Sequence, residues 1–251
     1  MATIVEMINP LTGLPEQVDK LDHTAQEIDD AVDLAPQLSN PNLLDNWYFA
    51  YPVNQRNVSG TIDAVGYFLD RWKLVSGSVT IGSNGITLNG TIAQILETAV
   101  GTDVTASALT TEGVAVASYD NNSKTISLTG TGQTFVAAKL ELCSTQTLAH
   151  QENGVWVLNE IPNYGEQLAR CQRYFCRMYC KCPPKNSGAA SENQNGGFIS
   201  FPVTMRTNPT GSLISKEVST IILGETTVNG FDVGGADNYS RAFVADFTAD
   251  L

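Results

Sequence analysis

Histidine is nearly absent from this chain: two in 251 residues, His23 and His150. A nucleophilic triad needs a base beside the nucleophile, and with no G-x-S-x-G either, Ser-His and Cys-His chemistry has little support. Basic residues are also scarce, 14 Lys and Arg against 26 Asp and Glu, a net charge of −12. That balance excludes a nucleic-acid footprint and a polybasic membrane patch. No run of about 18 apolar residues exists, so no membrane-spanning helix is expected. The start, MATIVEMINPLTGLPEQ, lacks the basic and then apolar stretches of a signal peptide, which points to synthesis in a cytoplasm. Charged residues make up 16% of the chain, against an average of about 25%. Hydrophobic content is 42%, enough for a core, so the low charge is not a mark of disorder.

What is present changes character along the chain. Leu11, Leu14, Val18, Leu21, Ala25, Ile28, Val32 and Ala35 are spaced alternately three and four apart. This is an a/d seam of about three and a half heptads. Pro15 and Glu16 suit the first turn of a helix, and Pro36 stops it. The spacing predicts a coiled-coil helix that self-associates, within an N-terminal attachment segment over 1–37. A helix packed on its own domain is the alternative. His23 reads as a solvated helix residue.

From Asn42 onward the period becomes two. SVTIGSNGITLNG, VAVASYDNNSKTISLTG and TFVAAKLELCS alternate apolar and polar positions between turn signals. Those signals are Asn84-Gly85, Asn89-Gly90, Asp120-Asn121-Asn122 and Gly130-Thr131-Gly132. Trp47, Phe49, Phe68 and Trp72 alternate as core residues do. Short strands without intervening helices predict an antiparallel β-sandwich or jelly roll over 38–160. Residues 161–251 read as a small β-rich domain with one short helix, 164–172, opened by Asn163 with Glu166 and passing into a strand. NSGAASENQNGG reads as a polar loop. FISFPVTMR, VSTIILGETTVNGFDV and RAFVADFTADL read as three further strands. The fold class is thus mainly β.

Candidate chemistry is sparse. The spacing of Cys171, Cys176, Cys180 and Cys182 is not that of a zinc ribbon or finger. With Cys143 the count is odd, and reduced structural thiols are favoured over a disulfide or a thiolate metal site. No metal or cofactor is expected. Acid pairs such as Asp70, Glu141, Glu160 and Glu166 are inevitable among 26 acids, and enzymatic activity is not expected. His150, in HQENG, reads as a solvated turn residue. Sugar binding uses aromatic faces with planar polar groups. Tyr51, Asn54, Arg56, Tyr67, Trp156 and Tyr164 offer both, with Tyr48 and Gln55 nearby, and Arg56 equally suits an interface ion pair. Trp156 reads as the best exposed of them, with a buried strand over VWVL as the alternative.

Several segments resemble phage and prophage tail-fibre proteins. Asn42-Leu43-Leu44-Asp45-Asn46-Trp47-Tyr48-Phe49 with Pro52-Val53-Asn54-Gln55-Arg56 looks like the opening of that family. Gly66-Tyr67-Phe68-Leu69-Asp70-Arg71-Trp72 is similar to its second strand. Ala138-Lys139-Leu140-Glu141-Leu142, Cys171-Gln172-Arg173-Tyr174-Phe175, Phe201-Pro202-Val203-Thr204-Met205-Arg206 and Val244-Ala245-Asp246 also match, as does the leader-like Thr24-Ala25-Gln26-Glu27-Ile28-Asp29. The cysteine cluster after Phe175 departs from the pattern. The resemblance implies a homotrimeric virion protein with a carbohydrate-binding-like jelly roll, assembled in a bacterial cytoplasm. It implies attachment to other virion proteins through the N-terminal segment and binding of host cell-surface polysaccharide. A head fibre or capsid decoration protein without a sugar-binding role is the alternative, and a virion glycan hydrolase a more distant one.

Overall fold

The computed structural model describes residues 4–8, 15–19, 39–182, 197–217, 221–234 and 241–251. Two compact units divide the chain, Met1–Leu38 and Ser39–Leu251. In the first, β1 (Ile4–Ile8) pairs antiparallel with β2 (Pro15–Asp19), with Val5 opposite Val18 and Ile8 opposite Pro15. This corrects the expected helix over Pro15–Asp19. A four-residue gap such as Leu14 to Val18 is also a multiple of two, so it fits a strand as well as a heptad. Pro15 at the first position of a strand forfeits little, because it is the ladder interior that needs the N–H. The other seam residues, Leu11, Leu14, Leu21, Ala25, Ile28, Val32 and Ala35, lie outside the described residues.

The second unit is mainly β and antiparallel. Its first part is an eight-stranded sheet. The path is β3 (Gly60–Ile62), β5 (Trp72–Gly82), β6 (Gly85–Ile95), β10 (Thr125–Glu141), β7 (Thr105–Thr110) and β8 (Gly113–Val116). Off this path β4 (Gly66–Leu69) pairs β5, and β9 (Ser118–Asp120) pairs β10. The 17-residue β10 organises the rest. Its first half pairs with β6, from Thr125↔Ile95 to Phe135↔Ile86, and its second half pairs with β7, from Phe135↔Thr110 to Glu141↔Thr105. Where β6 departs, the segment Leu43–Phe49 takes its place along β10. Leu43 N donates to Leu140 O, Ala138 N to Trp47 O and Phe49 N to Val136 O, at 2.8–2.9 Å.

Two dipeptide signals mark bends rather than turns, which corrects the expectation. Asn89 and Gly90 lie inside β6, and Thr131 and Gly132 lie at a register shift within β10. Gly90 faces Gly77 on one side and Gly130 on the other. A Cβ on Gly77 would meet Asn89 O at 2.1 Å, and one on Gly90 would meet Ser76 O at 2.1 Å. Glycine is required there by close backbone approach and positive φ, not by a hairpin. The Asn84 and Asp120–Asn122 signals do end strands, between β5 and β6 and between β9 and β10. Trp47, Phe49, Phe68 and Trp72 are all buried in one core with Leu74, Leu88, Ile92, Leu128 and Leu140.

β11 (Ala149–Glu152) and β12 (Val155–Leu158) form a hairpin that places His150 in a strand rather than a turn. The imidazole bonds Asn159 Oδ1 through Nδ1 and Glu152 Oε1 through Nε2 at 2.8 Å. Then α1 (Tyr164–Gln172) begins where Asn163 Oδ1 accepts from Gly165 N and Glu166 N. Two three-stranded sheets follow. β13 (Phe175–Cys182), β18 (Arg241–Thr248) and β15 (Thr210–Lys216) make one, in that order. β14 (Gly197–Ser200), β17 (Gly230–Gly234) and β16 (Ile222–Thr227) make the other. Two of the strand expectations need correction, and one strand was not expected. FISFPVTMR is a strand only through Ser200. The run ending in GFDV is a hairpin turning at Val228-Asn229. β15 had no signal. A second core fills this part, with Phe231 and Phe247 at 4.2 Å between ring centroids and Phe201 at 4.9 Å from Phe247.

Candidate functional site

The segment Leu44–Val53 holds the site: Trp47 and Phe49 bond β10 through their backbone, while Asn46 is satisfied largely by side-chain bonds. Asn46, at φ 52°, accepts from Val53 N and donates to Val53 O and Asp70 O. Its own N–H donates to Gln167 Oε1 at 2.6 Å, and its carbonyl accepts from Trp72 Nε1 at 2.9 Å. Buried polar groups of this kind must be paired, and the pairing ties α1 to the sheet body. The result is a cavity of about 260 Å³ lined by Asn46, Tyr48, Tyr51, Ile161, Pro162, Tyr164 and Gln167.

Two of the six sequence candidates meet here. The rings of Tyr51 and Tyr164 lie 5.2 Å apart at 57°, and the two residues are 68% and 42% exposed. Ile161 beside them is 72% exposed. Desolvation pushes the Tyr164 phenol above its ordinary range, with Tyr51, Asp70 and Cys171 adding to it. Three large, exposed and largely apolar side chains thus border one concavity.

The other four candidates are placed elsewhere. Arg56 pairs with Asp250 at 2.5 Å and lies 3.9 Å over the Phe175 ring and 5.1 Å over that of Tyr67. The Tyr67 hydroxyl donates to Leu251 O at 2.6 Å. Both residues therefore join the sheet body to the end of the chain, the interface role that was the alternative for Arg56. Asn54 closes a local turn with Val58. Trp156 is half-buried against the first core, and a Cβ on Gly113 would come within 3.0 Å of its Nε1, so it is not the most exposed of the set. Ile161, Pro162 and Gln167 carried no sequence signal. Ile161-Pro162 reads only as the lead-in to a capped helix.

Next to the site lies a buried acid cluster. Asp70 accepts from Gln55 N through Oδ2 at 2.6 Å, while Oδ1 has no partner among the described residues. Burial pushes this carboxyl up to about 7, with Asp250 adding to the rise and Arg56 opposing it. Burial also raises Asp250. Burial pushes the Cys176 thiol up to about 12 and that of Cys171 well above the ordinary thiol range. Cys143, Cys171, Cys176 and Cys180 are free, and no three acid, thiol or imidazole groups among the described residues cluster as metal ligands. Among the described residues no helix is long and apolar enough to cross a membrane.

Three further concavities are more open in chemistry. One of about 340 Å³ runs along Thr129–Gln133 and Glu112, and one of about 660 Å³ lies between Gly101–Ala106 and Tyr119–Asn122. The third, of about 480 Å³, borders Tyr179 and Lys216. In the second, the Tyr119 hydroxyl is already bonded to Val100 N and Asn121 Oδ1. No family model, no curated protein and no solved structure matches this chain.

Proposed function

We propose that this chain is a structural phage virion protein, a homotrimeric fibre subunit that binds host-surface glycans at the Tyr51–Tyr164 cavity. The observation that carries the reading is that pair of exposed, mutually packed tyrosines beside uncharged polar groups. Flat aromatic faces match the apolar face of a sugar ring, and phenol and amide groups match its hydroxyls. The low count of histidine and basic residues and the resemblance to fibre proteins support it from the sequence. In this reading the glycine corner at Gly77, Gly90 and Gly130 folds the sheet into a jelly roll. The N-terminal segment attaches the subunit to other virion proteins. Three weak sites on one rigid trimer gain avidity by multivalency.

Light scattering on a sizing column tests the assembly, with the full chain expected at about three times 26.9 kDa. A monomeric full chain overturns the trimer. Binding of the full-length protein to bacterial polysaccharides, compared with Tyr51→Ala and Tyr164→Ala, tests the site. Loss of binding with unchanged mass supports it. A trimer that binds no polysaccharide favours a head fibre or capsid decoration protein, for which most of the candidate polar residues being spent on internal contacts is the supporting observation.

A further inference from the structure

The lining of the Tyr51–Tyr164 cavity contains no charged side chain. Its polar groups are the phenols of Tyr48, Tyr51 and Tyr164 and the amides of Asn46 and Gln167. Asn46 is fully committed, and the Gln167 carbonyl oxygen is taken by Asn46 N. No hydrogen bond from the described residues engages the three phenols or Gln167 Nε2. On the remaining side stand Ile161 and Pro162, which offer only hydrocarbon.

The charges around the cavity are acids, or cations already engaged. Asp45 precedes the lining residue Asn46 in the chain, and the Asp70 carbonyl accepts from Asn46 Nδ2. Arg170 is paired with Asp45 at 3.6 Å. Arg71 bonds Asp45 at 3.1 Å and the Ile95 carbonyl, and Arg56 is held by Asp250. An anion entering the cavity meets no free guanidinium or ammonium, and it enters a protein of net charge −12. Recognition of carboxylate, phosphate or sulfate ordinarily needs a charge-assisted donor, which this lining lacks. The volume, about 260 Å³, falls below the roughly 300–1,000 Å³ of cavities that enclose a drug-sized ligand. It suits one ring rather than a chain of them.

We propose that the cavity takes a single neutral pyranose bearing an apolar substituent, such as an acetamido or deoxy methyl, and discriminates against anionic sugars. This rests on the glycan-binding reading above and assigns its ligand class. The sugar ring lies against the Tyr51 and Tyr164 faces, its hydroxyls meet the phenols and Gln167 Nε2, and its methyl group contacts Ile161 and Pro162. Uronates and sialic acid lose affinity because their carboxylate is desolvated without a counter-charge.

Ligand-observed NMR titration of the full-length protein tests this. The probes are methyl N-acetyl-β-glucosaminide and methyl 6-deoxy-galactoside as neutral sugars, with methyl glucuronide and N-acetylneuraminic acid as anionic ones. Neutral probes are expected to bind and anionic ones to be weaker by about tenfold, the effect of one uncompensated charge at intermediate dielectric. Tyr51→Ala removes the neutral binding. Ile161→Lys, at an exposed position outside either core, supplies the missing cation and brings the anionic probes to within about twofold of the neutral ones. Anionic probes that bind the parent protein as tightly as neutral ones overturn the ligand class and leave the glycan reading standing. Sugar binding that ignores both Tyr51→Ala and Ile161→Lys overturns the placement at this cavity. Binding of none of the four by a protein that still binds bacterial polysaccharide overturns the single-ring inference alone, and loss of polysaccharide binding as well overturns the parent reading.

Discussion

The guanidinium of Arg71 lies 3.5 Å over the ring of Tyr174, joining the β4–β5 turn to the end of α1. Arg71 is buried, holds a left-handed backbone at φ 72°, bonds Asp45 and the Ile95 carbonyl, and leaves Nη1 without a partner among the described residues. A non-glycine residue at positive φ costs about 1 kcal/mol or more, so its contacts must outweigh the strain. The Tyr174 hydroxyl continues the network to Glu97 at 2.8 Å, which also accepts from Arg173. Arg71→Met is expected to destabilise the chain by about 3 kcal/mol, because Asp45 and a buried carbonyl lose their donor. Tyr174→Leu removes the stacked ring, and a double-mutant cycle by urea denaturation should give a coupling of about 1–2 kcal/mol between the two. A coupling near zero means that the stacking contributes nothing and that Arg71 acts through Asp45 and the Ile95 carbonyl.

Asp70 makes stability depend on pH in the less common direction. Its folded carboxyl is raised to about 7, whereas an unfolded Asp titrates near 3.9. Between those values the folded state binds more protons than the unfolded one, so the slope of stability against pH is negative. The stabilising contribution is fully present below about pH 4 and is lost as pH rises through 7. The shift corresponds to at most roughly 4 kcal/mol between these limits. Asp250, raised in the same direction, contributes with the same sign. Asp70→Asn keeps the shape and removes the proton. Urea midpoints at pH 5 and pH 8 should differ in the parent protein, and the difference should shrink in the variant to what Asp250 contributes. Equal midpoints in the parent would contradict the assignment.

The glycine row across β5, β6 and β10 separates two kinds of glycine substitution. Gly90→Ala places a methyl 2.1 Å from Ser76 O at φ 149°, so one strand must move, and a loss of more than about 3 kcal/mol or failure to fold is expected. Gly132→Ala has φ 101° but nothing within 4 Å, so only conformational strain of about 1–2 kcal/mol applies. Thermal unfolding of the two variants side by side checks the contrast. Similar losses at both sites would show that φ, rather than close approach, sets the cost.

Period two carries most of the legible fold. It identifies β5, β6, β10 and the buried Trp47–Phe49 and Phe68–Trp72 pairs, because each strand faces a core on one side only. Asn163 is legible as a cap for the same reason that any short acceptor before a helix is. Turn dipeptides mislead at Asn89-Gly90 and Gly130–Gly132, because glycine serves bends inside long strands as readily as hairpins, and only the partner strand distinguishes them. The heptad reading fails at Pro15–Asp19 because its pairing partner, IVEMI, is local and the spacing tolerates both periods. At the candidate site the tyrosines are legible as aromatic residues near polar ones. Arg56 and Tyr67 look the same in sequence, yet they are consumed by Asp250 and Leu251, nearly two hundred residues away. No local pattern encodes such contacts.

Lys139 offers the sharpest test of how the body is held at its start. Its ammonium is fully buried and donates to Ser39 Oγ at 2.6 Å, Thr147 Oγ1 at 3.1 Å and Thr147 O at 3.4 Å, with Glu160 at 3.4 Å and Glu141 at 3.7 Å. Glu141, equally buried, accepts from Thr147 N at 2.7 Å and from the Thr147 hydroxyl. Lys139 thereby ties Ser39, the first residue of the second unit, to the loop before β11. Removing only the lysine leaves a carboxylate buried without a cation, so Lys139→Met is expected to cost about 3–5 kcal/mol. Adding Glu141→Gln removes that charge and keeps an acceptor for Thr147, so the double variant should recover at least half of the loss. Denaturant unfolding of both variants decides the point. If the double variant is no more stable than Lys139→Met, the cost lies in the hydrogen bonds to Ser39 and Thr147 rather than in the stranded charge.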